Sequence, residues 1–153
     1  MKPKIYFAAD HWGFEPIPQL IDFVSGELGY EVEHCGPFEY DPADDYPDFV
    51  KVAAEAVSED PENRRAIIFG MSGNGEAMCA NRYLGVRAAH YYGGPEEIII
   101  LSREHNNANI LSLGAGFMDM EEIKAATQLW LETEFPGEER HARRIAKIDV
   151  LEE

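Results

Sequence analysis

The segment Ile67-Ile68-Phe69-Gly70-Met71-Ser72-Gly73-Asn74-Gly75-Glu76 joins a short apolar run to a glycine-rich turn. The apolar run is typical of a buried strand, and the residues from about Asn74 onward favour a helix. The glycines allow the backbone to approach a ligand closely or to adopt a positive φ. Free N–H groups at the start of a helix favour an anion. The segment also fits an ordinary strand–helix turn, since short glycine motifs are weak indications alone.

Outward from this segment, apolar runs and helical patterns alternate along the whole chain. The predicted strands are 4–9, 30–34, 65–70, 86–90 and 109–113, and the predicted helices are 16–28, 47–59, 74–83, 96–105, 118–134 and 138–150. The segment 30–34 alternates, whereas the other strands are mostly continuous apolar runs. This combination indicates an α/β protein whose parallel sheet is covered by helices on both faces.

Composition restricts the class of protein. The chain has 153 residues, of which 45% are hydrophobic, and this size predicts a single domain over 1–153. The net charge of −16 argues against nucleic acid and anionic membrane surfaces as partners. The two cysteines, Cys35 and Cys79, are too few for a disulfide framework, so we expect free thiols in a cytoplasmic protein. No segment approaches the ~20 apolar residues of a membrane span.

Polar side chains follow several predicted strands, and ligands of parallel sheets bind at the carboxyl ends of strands. Asp10 and His11 follow the first strand, and a carboxylate beside an imidazole could orient a hydroxyl and move protons. The same pair also fits a helix cap and a surface histidine. In the glycine-rich turn, Ser72 could shuttle a proton and Glu76 could act as a base.

Two further clusters stand out. The run 103–109 contains His105, which could act as an acid–base group near neutral pH, although a helix end rich in asparagine also fits simple capping. The run 140–144 is the densest basic segment, and its Arg140 and Arg144 share a helix face that suits a phosphate. Salt bridges to Glu138 or Glu139 are the alternative.

The remaining histidines give no second site. His34 and His90 are assigned no role from the sequence. A metal-dependent enzyme is conceivable from five histidines and twenty-nine acidic residues, but no ligand spacing typical of a metal site occurs. The sequence therefore predicts neither a metal nor another cofactor.

Taken in order, these segments resemble the ribose-5-phosphate isomerase B / galactose-6-phosphate isomerase family of sugar-phosphate isomerases. The resemblance is carried by AADHWGF at 8–14, CG at 35–36, DDYP at 44–47, GMSGNGEAMCANR at 70–82, GVRAA at 85–89, SREHNNANILSLG at 102–114 and RHARRI at 140–145. It covers nearly the whole chain. It implies a Rossmann-like three-layer α/β/α sandwich with the five-stranded parallel sheet.

The resemblance also implies an activity and an assembly. The expected reaction is the interconversion of ribose 5-phosphate and ribulose 5-phosphate through a cis-enediolate, without metal. The expected assembly is a homodimer or dimer of dimers, with the sites at the interface and the C-terminal helix, about 138–150, packed there. Some members place a catalytic cysteine at the end of the third strand, where this chain has Gly70. The branch with S-G-N-G-E uses a glutamate, which corresponds here to Glu76.

Further roles follow from the resemblance, residue by residue. Glu76 and Ser72 would move the protons, and Asp10 and His105 would help to open the sugar ring. The expected substrate-binding residues are His11, Asp45, Met71, Gly73, Asn74, Gly75, Asn106, Arg140 and Arg144. The N–H groups of the 71–75 turn would stabilise the enediolate oxygen.

Three positions depart from the family pattern. Gly116 stands where the family usually has a phosphate-binding arginine, Met71 replaces a glycine, and the first-helix lysine is lost in the segment 15–18. These departures leave two alternatives open. One is an isomerase of another sugar or sugar phosphate, such as a hexose 6-phosphate or a tetrose phosphate, and the other is a non-catalytic sugar-phosphate-binding subunit.

Overall fold

The computed structural model describes residues 1–152 of this chain. Its strands are β1 (Lys4–Ala9), β2 (Val32–His34), β3 (Arg64–Gly70), β4 (Ala88–Tyr91) and β5 (Ile110–Gly114). Its α-helices are α1 (Pro16–Asp22), α2 (Pro47–Glu59), α3 (Asn74–Ala80), α4 (Glu97–Glu104), α5 (Met120–Glu132) and α6 (Glu139–Asp149). Short 3₁₀ turns cover His11–Gly13, Ala115–Phe117 and Val150–Glu152, and a π-helical turn covers Phe23–Glu27.

The strands form one parallel sheet in the order β2-β1-β3-β5-β4. On one face, β1, β3 and β5 pack against α1, α4 and α5 around the buried Trp130. On the other face, the alternate residues of the same strands pack against α2 and α3. The predicted three-layer Rossmann-like α/β/α sandwich with a five-stranded parallel sheet is therefore confirmed.

The predicted element boundaries shift where side chains or the backbone interrupt a regular pattern. The predicted helix 16–28 changes to a π-helical turn after Asp22, and the N–H of Leu28 donates to the carbonyl of Phe23. Helix α3 ends at Ala80, because the side chain of Asn81 bonds both the N–H and the carbonyl of Ala88 at 2.8 and 3.1 Å. These bonds tie the end of α3 to the start of β4.

Helix α6 lies at the periphery of the fold. Only His141 and Ile145 are buried along it. Ile148, Val150 and Leu151 near its end are exposed. In the part of the chain that the structure describes, no helix has the length and apolar character needed to cross a membrane.

The strand order creates a crevice at one edge of the sheet. From β1 the chain passes to β2 on one side, and it then returns to β3 on the other side of β1. The connections that leave β1 and β3 therefore diverge, which opens a crevice at the carboxyl ends of these strands. Asp10 follows β1 directly and the glycine-rich turn follows β3, so both border this crevice.

Candidate active site

The turn between β3 and α3 presents backbone N–H groups. Gly73 is the residue before the helix and has φ of 82°, a conformation that favours glycine. The N–H of Asn74 donates to Oγ of Ser72 at 3.2 Å. Within residues 1–152, no protein group accepts a hydrogen bond from the N–H of Gly73 or of Gly75. These donors remain available to an anionic ligand.

The carboxylate of Glu76 lies directly over the backbone of Gly70. A Cβ added at residue 70 would lie 2.0 Å from Oε1 of Glu76, so a side chain there and this carboxylate exclude each other. Glu76 is only 4% exposed. Burial raises the pKa of its carboxyl group and the nearby charge of Asp10 raises it further, while its own N–H and His90 act in the opposite direction. A buried carboxylate with a raised pKa is suited to general-base chemistry.

Asp10 is the second buried carboxylate of the crevice and is 8% exposed. One of its oxygens accepts a hydrogen bond from the N–H of Trp12 at 2.9 Å, which starts the 3₁₀ turn after β1. Burial raises the pKa of Asp10 and the charge of Asp44 adds to this, whereas the Trp12 N–H and His11 lower it. The structure therefore brings the predicted residues Asp10 and Glu76 within electrostatic reach of each other.

His11 forms a dyad with Asp44. Oδ1 of Asp44 accepts hydrogen bonds from the His11 backbone N–H at 3.1 Å and from its Nδ1 at 2.8 Å. This bond raises the pKa of His11, and the charge of Asp10 contributes. The predicted residue Asp45 is exposed, and its carbonyl accepts from the N–H of Asp48 near the start of α2. Sequence reasoning noted the Asp44-Asp45 pair but did not identify Asp44 as the partner of His11.

The same region offers ligand atoms for a cation. Ligand atoms of Asp10, His11 and Asp44 lie within 4.8 Å of one another. Oδ2 of Asp44 is buried and has no hydrogen-bond partner among the described residues. Two carboxylates and an imidazole could hold a divalent metal, but Nδ1 of His11 is engaged with Asp44 and would have to leave it. Metal-free action remains a prediction.

His105, Arg140 and Arg144 belong to a second group, at the junction of α4 and α6. The rings of His105 and His141 stack with centroids 4.1 Å apart and planes 17° apart. His141 is buried, and this burial, together with the nearby charges of His105 and the arginines, lowers its pKa. Arg140 donates to Glu138 at 3.1 Å, as the salt-bridge alternative predicted. Among the described residues Arg144 has no ion pair.

The remaining members of the run 103–109 have separate positions. Arg103 is buried and donates to the carbonyls of Thr133 and Ala108 and to Oδ1 of Asn107. Burial lowers its pKa to about 10. Asn109 bonds the N–H of Arg87 at 2.8 Å. These residues hold the loop before β5, which leaves Asn106 exposed beside His105.

The two groups lie at opposite ends of the strands. Glu76 and Asp10 are at the carboxyl ends of the strands, whereas His105 lies between the end of α4 and the amino end of β5. Helix α6 runs along the amino ends of the strands, because His141 stacks on His105 and Asp149 lies 3.9 Å from Arg87, just before β4. Strand β5 has five residues, so its two ends are roughly 13–17 Å apart. In the described residues, no hydrogen bond, ion pair or ring contact joins the two groups.

Two departures from the family pattern contact each other. The N–H of Gly116 donates to the carbonyl of Met71 at 2.9 Å, and a Cβ at residue 116 would lie 2.9 Å from Cγ of Met71. Met71 is 51% exposed. An apolar thioether therefore lies at the turn, beside the position where the resemblance leads one to expect an arginine.

One cleft borders His11, and a second cleft borders the turn. A cleft of about 530 Å³ is lined by His11, Trp12, Phe14, Glu15, Pro16, Tyr40 and Pro42. A smaller cleft of about 190 Å³ is lined by Ser72, Asn74, His90, Tyr92 and Phe117. Tyr46 closes over the turn, since a Cβ at Gly75 would lie 2.4 Å from its hydroxyl. Tyr46 and His90 were not identified from the sequence, because only the folded loop and the β4–β5 pairing bring them to the turn.

Comparison with known proteins identifies the family of this chain. The profile of the family described as "Ribose/Galactose Isomerase" matches residues 5–148. Ribose-5-phosphate isomerase B of Mycolicibacterium paratuberculosis is 37% identical over 150 residues, which are 98% of this chain and 90% of that protein. The crystal structure of ribose-5-phosphate isomerase B from Mycoplasma genitalium with bound ribulose-5-phosphate superposes with a TM-score of 0.93 at 33% identity, covering 99% of this chain and 97% of its own.

A structure of Clostridium thermocellum ribose-5-phosphate isomerase B gives a TM-score of 0.88 at 37% identity, covering 97% of each chain. These matches extend over nearly the full length of both proteins and include the turn after β3, the run before β5 and helix α6. The chain therefore belongs to the ribose/galactose isomerase family.

Proposed function

We propose that this protein is an aldose–ketose isomerase that interconverts ribose 5-phosphate and ribulose 5-phosphate. The observation that carries this proposal is the buried carboxylate of Glu76, with its raised pKa, next to the open N–H groups of the turn after β3. The relatives named as ribose-5-phosphate isomerase B support it, as does the neighbour with bound ribulose-5-phosphate.

The proposed chemistry moves two protons and no hydride. Glu76 removes the proton from C2 of the open-chain aldose, and the electron pair of the C–H bond shifts to give a cis-enediolate with charge on O1. The N–H groups of the turn stabilise this oxygen as the charge develops. Ser72 assists transfer of a proton between O1 and O2. Glu76 then returns its proton to C1, which gives the ketose.

The other predicted residues are assigned to ring opening and binding. Asp10 and His105 help to open the sugar ring, and His11 and Asp45 contact its hydroxyl groups. Asn106 holds the sugar chain, and Arg140 and Arg144 bind the phosphate. The dyad with Asp44 holds the His11 ring in a single orientation, so Asp44 joins this set as a positioning residue.

The separation of the two groups supports a shared site in an oligomer. Within one chain, His105 and the arginines lie at the opposite ends of the strands from Glu76. They can therefore complete the site around Glu76 only from another copy of the chain. We therefore propose a homodimer or dimer of dimers with α6 at the interface. The exposed Ile148, Val150 and Leu151 at the end of α6 supply apolar surface for that contact. The single domain over 1–153 and the cytoplasmic location remain predictions.

The contact between Met71 and Gly116 favours testing a second substrate. This contact places a thioether at the turn and leaves no cationic side chain at residue 116. A charged contact contributes on the order of 1.5–3 kcal/mol, so its loss weakens the hold on a phosphate. Isomerisation of a hexose 6-phosphate, a tetrose phosphate or a free sugar is the corresponding alternative.

The decisive experiment compares a panel of these sugars and sugar phosphates by turnover and by NMR of deuterium exchange at C2. We expect the highest kcat/KM with ribose 5-phosphate, and activity that survives exhaustive chelation. Turnover with another sugar alone would shift the assignment to that substrate. Calorimetric binding of ribose 5-phosphate without exchange at C2 would instead identify a binding subunit.

The base is tested by Glu76→Gln, which keeps the size of the side chain and removes the carboxylate. Loss of a general base costs about 10²–10⁴-fold in rate, so we expect turnover and C2 exchange to fall by this factor or more. Thermal stability should not fall, because the buried charge is removed. Glu55→Gln, an exposed position on α2, is the matched control and should leave kcat unchanged. Near-normal exchange in Glu76→Gln would disprove the assignment.

A further inference from the structure

Two neighbouring side chains on strands β4 and β5 form hydrogen bonds to the turn after β3. His90 on β4 and Ser112 on β5 are register partners, so their side chains project from the same face. Nε2 of His90 bonds the carbonyl of Ser72, and Oγ of Ser112 donates to the carbonyl of Gly73 at 2.7 Å. Two consecutive carbonyls of the turn are therefore held by two consecutive strands.

The bond from His90 defines its tautomer. A carbonyl oxygen only accepts hydrogen bonds, so Nε2 of His90 must carry the hydrogen. The ring is half-buried and packs at 37° to the ring of Tyr92 with centroids 5.1 Å apart. It also lies 3.0 Å from the position that a Cβ of Gly73 would occupy. The imidazole is thus confined by packing as well as by its hydrogen bond.

The direction of this bond determines where a backbone donor points. In a trans peptide unit the N–H points away from the carbonyl, so the N–H of Gly73 points opposite to the carbonyl of Ser72. That carbonyl faces β4, at one edge of the sheet. The opposite direction leads across β3 toward β1, whose end carries Asp10. The N–H of Gly73 is therefore aimed into the crevice that contains Glu76.

Among the described residues, no hydrogen bond other than the one from His90 holds the carbonyl of Ser72 or the N–H of Gly73. Gly73 has φ of 82°, and glycine adopts positive and negative φ with similar ease. Rotation of the peptide between Ser72 and Gly73 would exchange the N–H for a carbonyl oxygen at the crevice. A carbonyl dipole in that position repels the developing enediolate instead of stabilising it.

We propose that His90 is a positioning residue, which together with Ser112 holds the peptide between Ser72 and Gly73 so that the Gly73 N–H faces the developing oxyanion. This inference rests on the proposed isomerase function. In this role His90 acts through the backbone, because its hydrogen bond is to the carbonyl of Ser72. The bond from Ser112 is the lesser of the two, because the carbonyl of Gly73 also accepts from the N–H of Ala77 at 3.1 Å.

Two substitutions at one position separate the hydrogen bond from the packing. His90→Leu fills part of the space of the ring but has no donor, whereas His90→Gln places an amide N–H near the position of Nε2. We expect kcat to fall about 10–100-fold in His90→Leu with KM changed less than about twofold, below the ~10²–10³ loss of a complete oxyanion donor. His90→Gln should recover most of kcat. Equal kcat in both variants, or a change confined to KM, would overturn the inference.

A measurement without substrate tests the same step independently of activity. We expect ¹⁵N relaxation dispersion to be flat at the Gly73 amide of the native protein and of His90→Gln, and to show exchange in His90→Leu. If the native protein turns over ribose 5-phosphate but the dispersion profile of His90→Leu is flat, only the positioning role is refuted. If the native protein turns over no sugar but His90→Leu shows the expected exchange, the isomerase function is refuted and the effect of His90 on the turn is supported.

Ser112→Ala supplies the second variant. We expect a smaller loss of kcat than in His90→Leu, and a combined loss in the double variant that is smaller than the product of the two, since both bonds restrain one turn. Multiplicative losses in the double variant would show that the two side chains act separately and would contradict a shared role.

Discussion

The two groups of predicted site residues differ in how the chain holds them. Asp10 and Glu76 are buried, and the backbone of β1, β3 and the turn sets their positions. Arg140 and Arg144 are exposed on a peripheral helix, and Arg140 is already paired with Glu138. The pair Asp10 and Glu76, called here the carboxylate group, lies at the carboxyl ends of the strands. The pair Arg140 and Arg144, called here the cationic group, lies at the opposite ends of the same strands.

This difference suggests a division of labour. Proton transfer depends on atomic positions, and side chains anchored at strand ends supply them. Phosphate binding depends on charge, which long arginine side chains deliver from a neighbouring surface. On this interpretation, each chain would carry the groups that isomerise the open-chain sugar and would donate His105 and the phosphate-binding arginines to another chain.

The largest effect is expected in mixed oligomers, which test whether the two groups of one site come from different chains. Chains with Glu76→Gln and chains with Arg140→Ala and Arg144→Ala are co-expressed with different tags, and the hetero-oligomer is isolated. If sites are shared, each mixed dimer has one intact site, and kcat/KM should rise from the level of the parents to about half of the native value. Hetero-oligomers no more active than the better parent would place both groups of each site in one chain.

A change at Gly70 would test how strictly the carboxylate group is positioned. Gly70→Ala places a Cβ 2.0 Å from the present position of Oε1 of Glu76. Glu76 must move, and a displacement of about 1 Å at a reacting group can cost ~10²-fold in kcat. Gly26→Ala is the control, because its Cβ would meet nothing within 4 Å. Unchanged kcat in Gly70→Ala would show that the carboxylate position does not govern the rate.

The pH profile of kcat/KM would test whether Asp10 raises the pKa of Glu76. Glu76 must be deprotonated to act as a base, so kcat/KM should rise with pH through its pKa, which burial and Asp10 raise above the ordinary value. Asp10→Asn removes one of these causes, so the acidic limb should move to lower pH, while burial keeps it above that of an exposed glutamate. A limb that stays in place would mean that another group controls it.

The smallest effect concerns the cationic group. Glu138 competes with a bound phosphate for Arg140, so Glu138→Gln should lower KM about 1.5- to 5-fold, the scale of an exposed ion pair. Glu139→Gln is the matched control, because Glu139 pairs with Arg143, for which no substrate contact is proposed. The difference between the two variants should shrink in high salt. An equal change in both would indicate a general charge effect.

Some of this site follows from the sequence and some does not. Asp10 and Glu76 follow from the rule that strand ends bear ligands, and the structure brings them together as that rule predicts. The choice of Asp44 over Asp45 for His11 depends on the folded conformation of the loop before α2, which no local sequence pattern reveals. The contact of His90 with Ser72 depends on which strands are neighbours, since β4 and β5 are adjacent but lie in reverse order in the sheet. The sequence near His90 therefore does not predict this contact.

The contact between Gly70 and Glu76 also limits how this active site can evolve. A side chain at residue 70 and a carboxylate at residue 76 compete for the same space. A lineage that transfers the base from one position to the other must therefore pass through an ancestor with a displaced base or with none. We therefore expect the residue at position 70 and the position of the base to change together among related sequences.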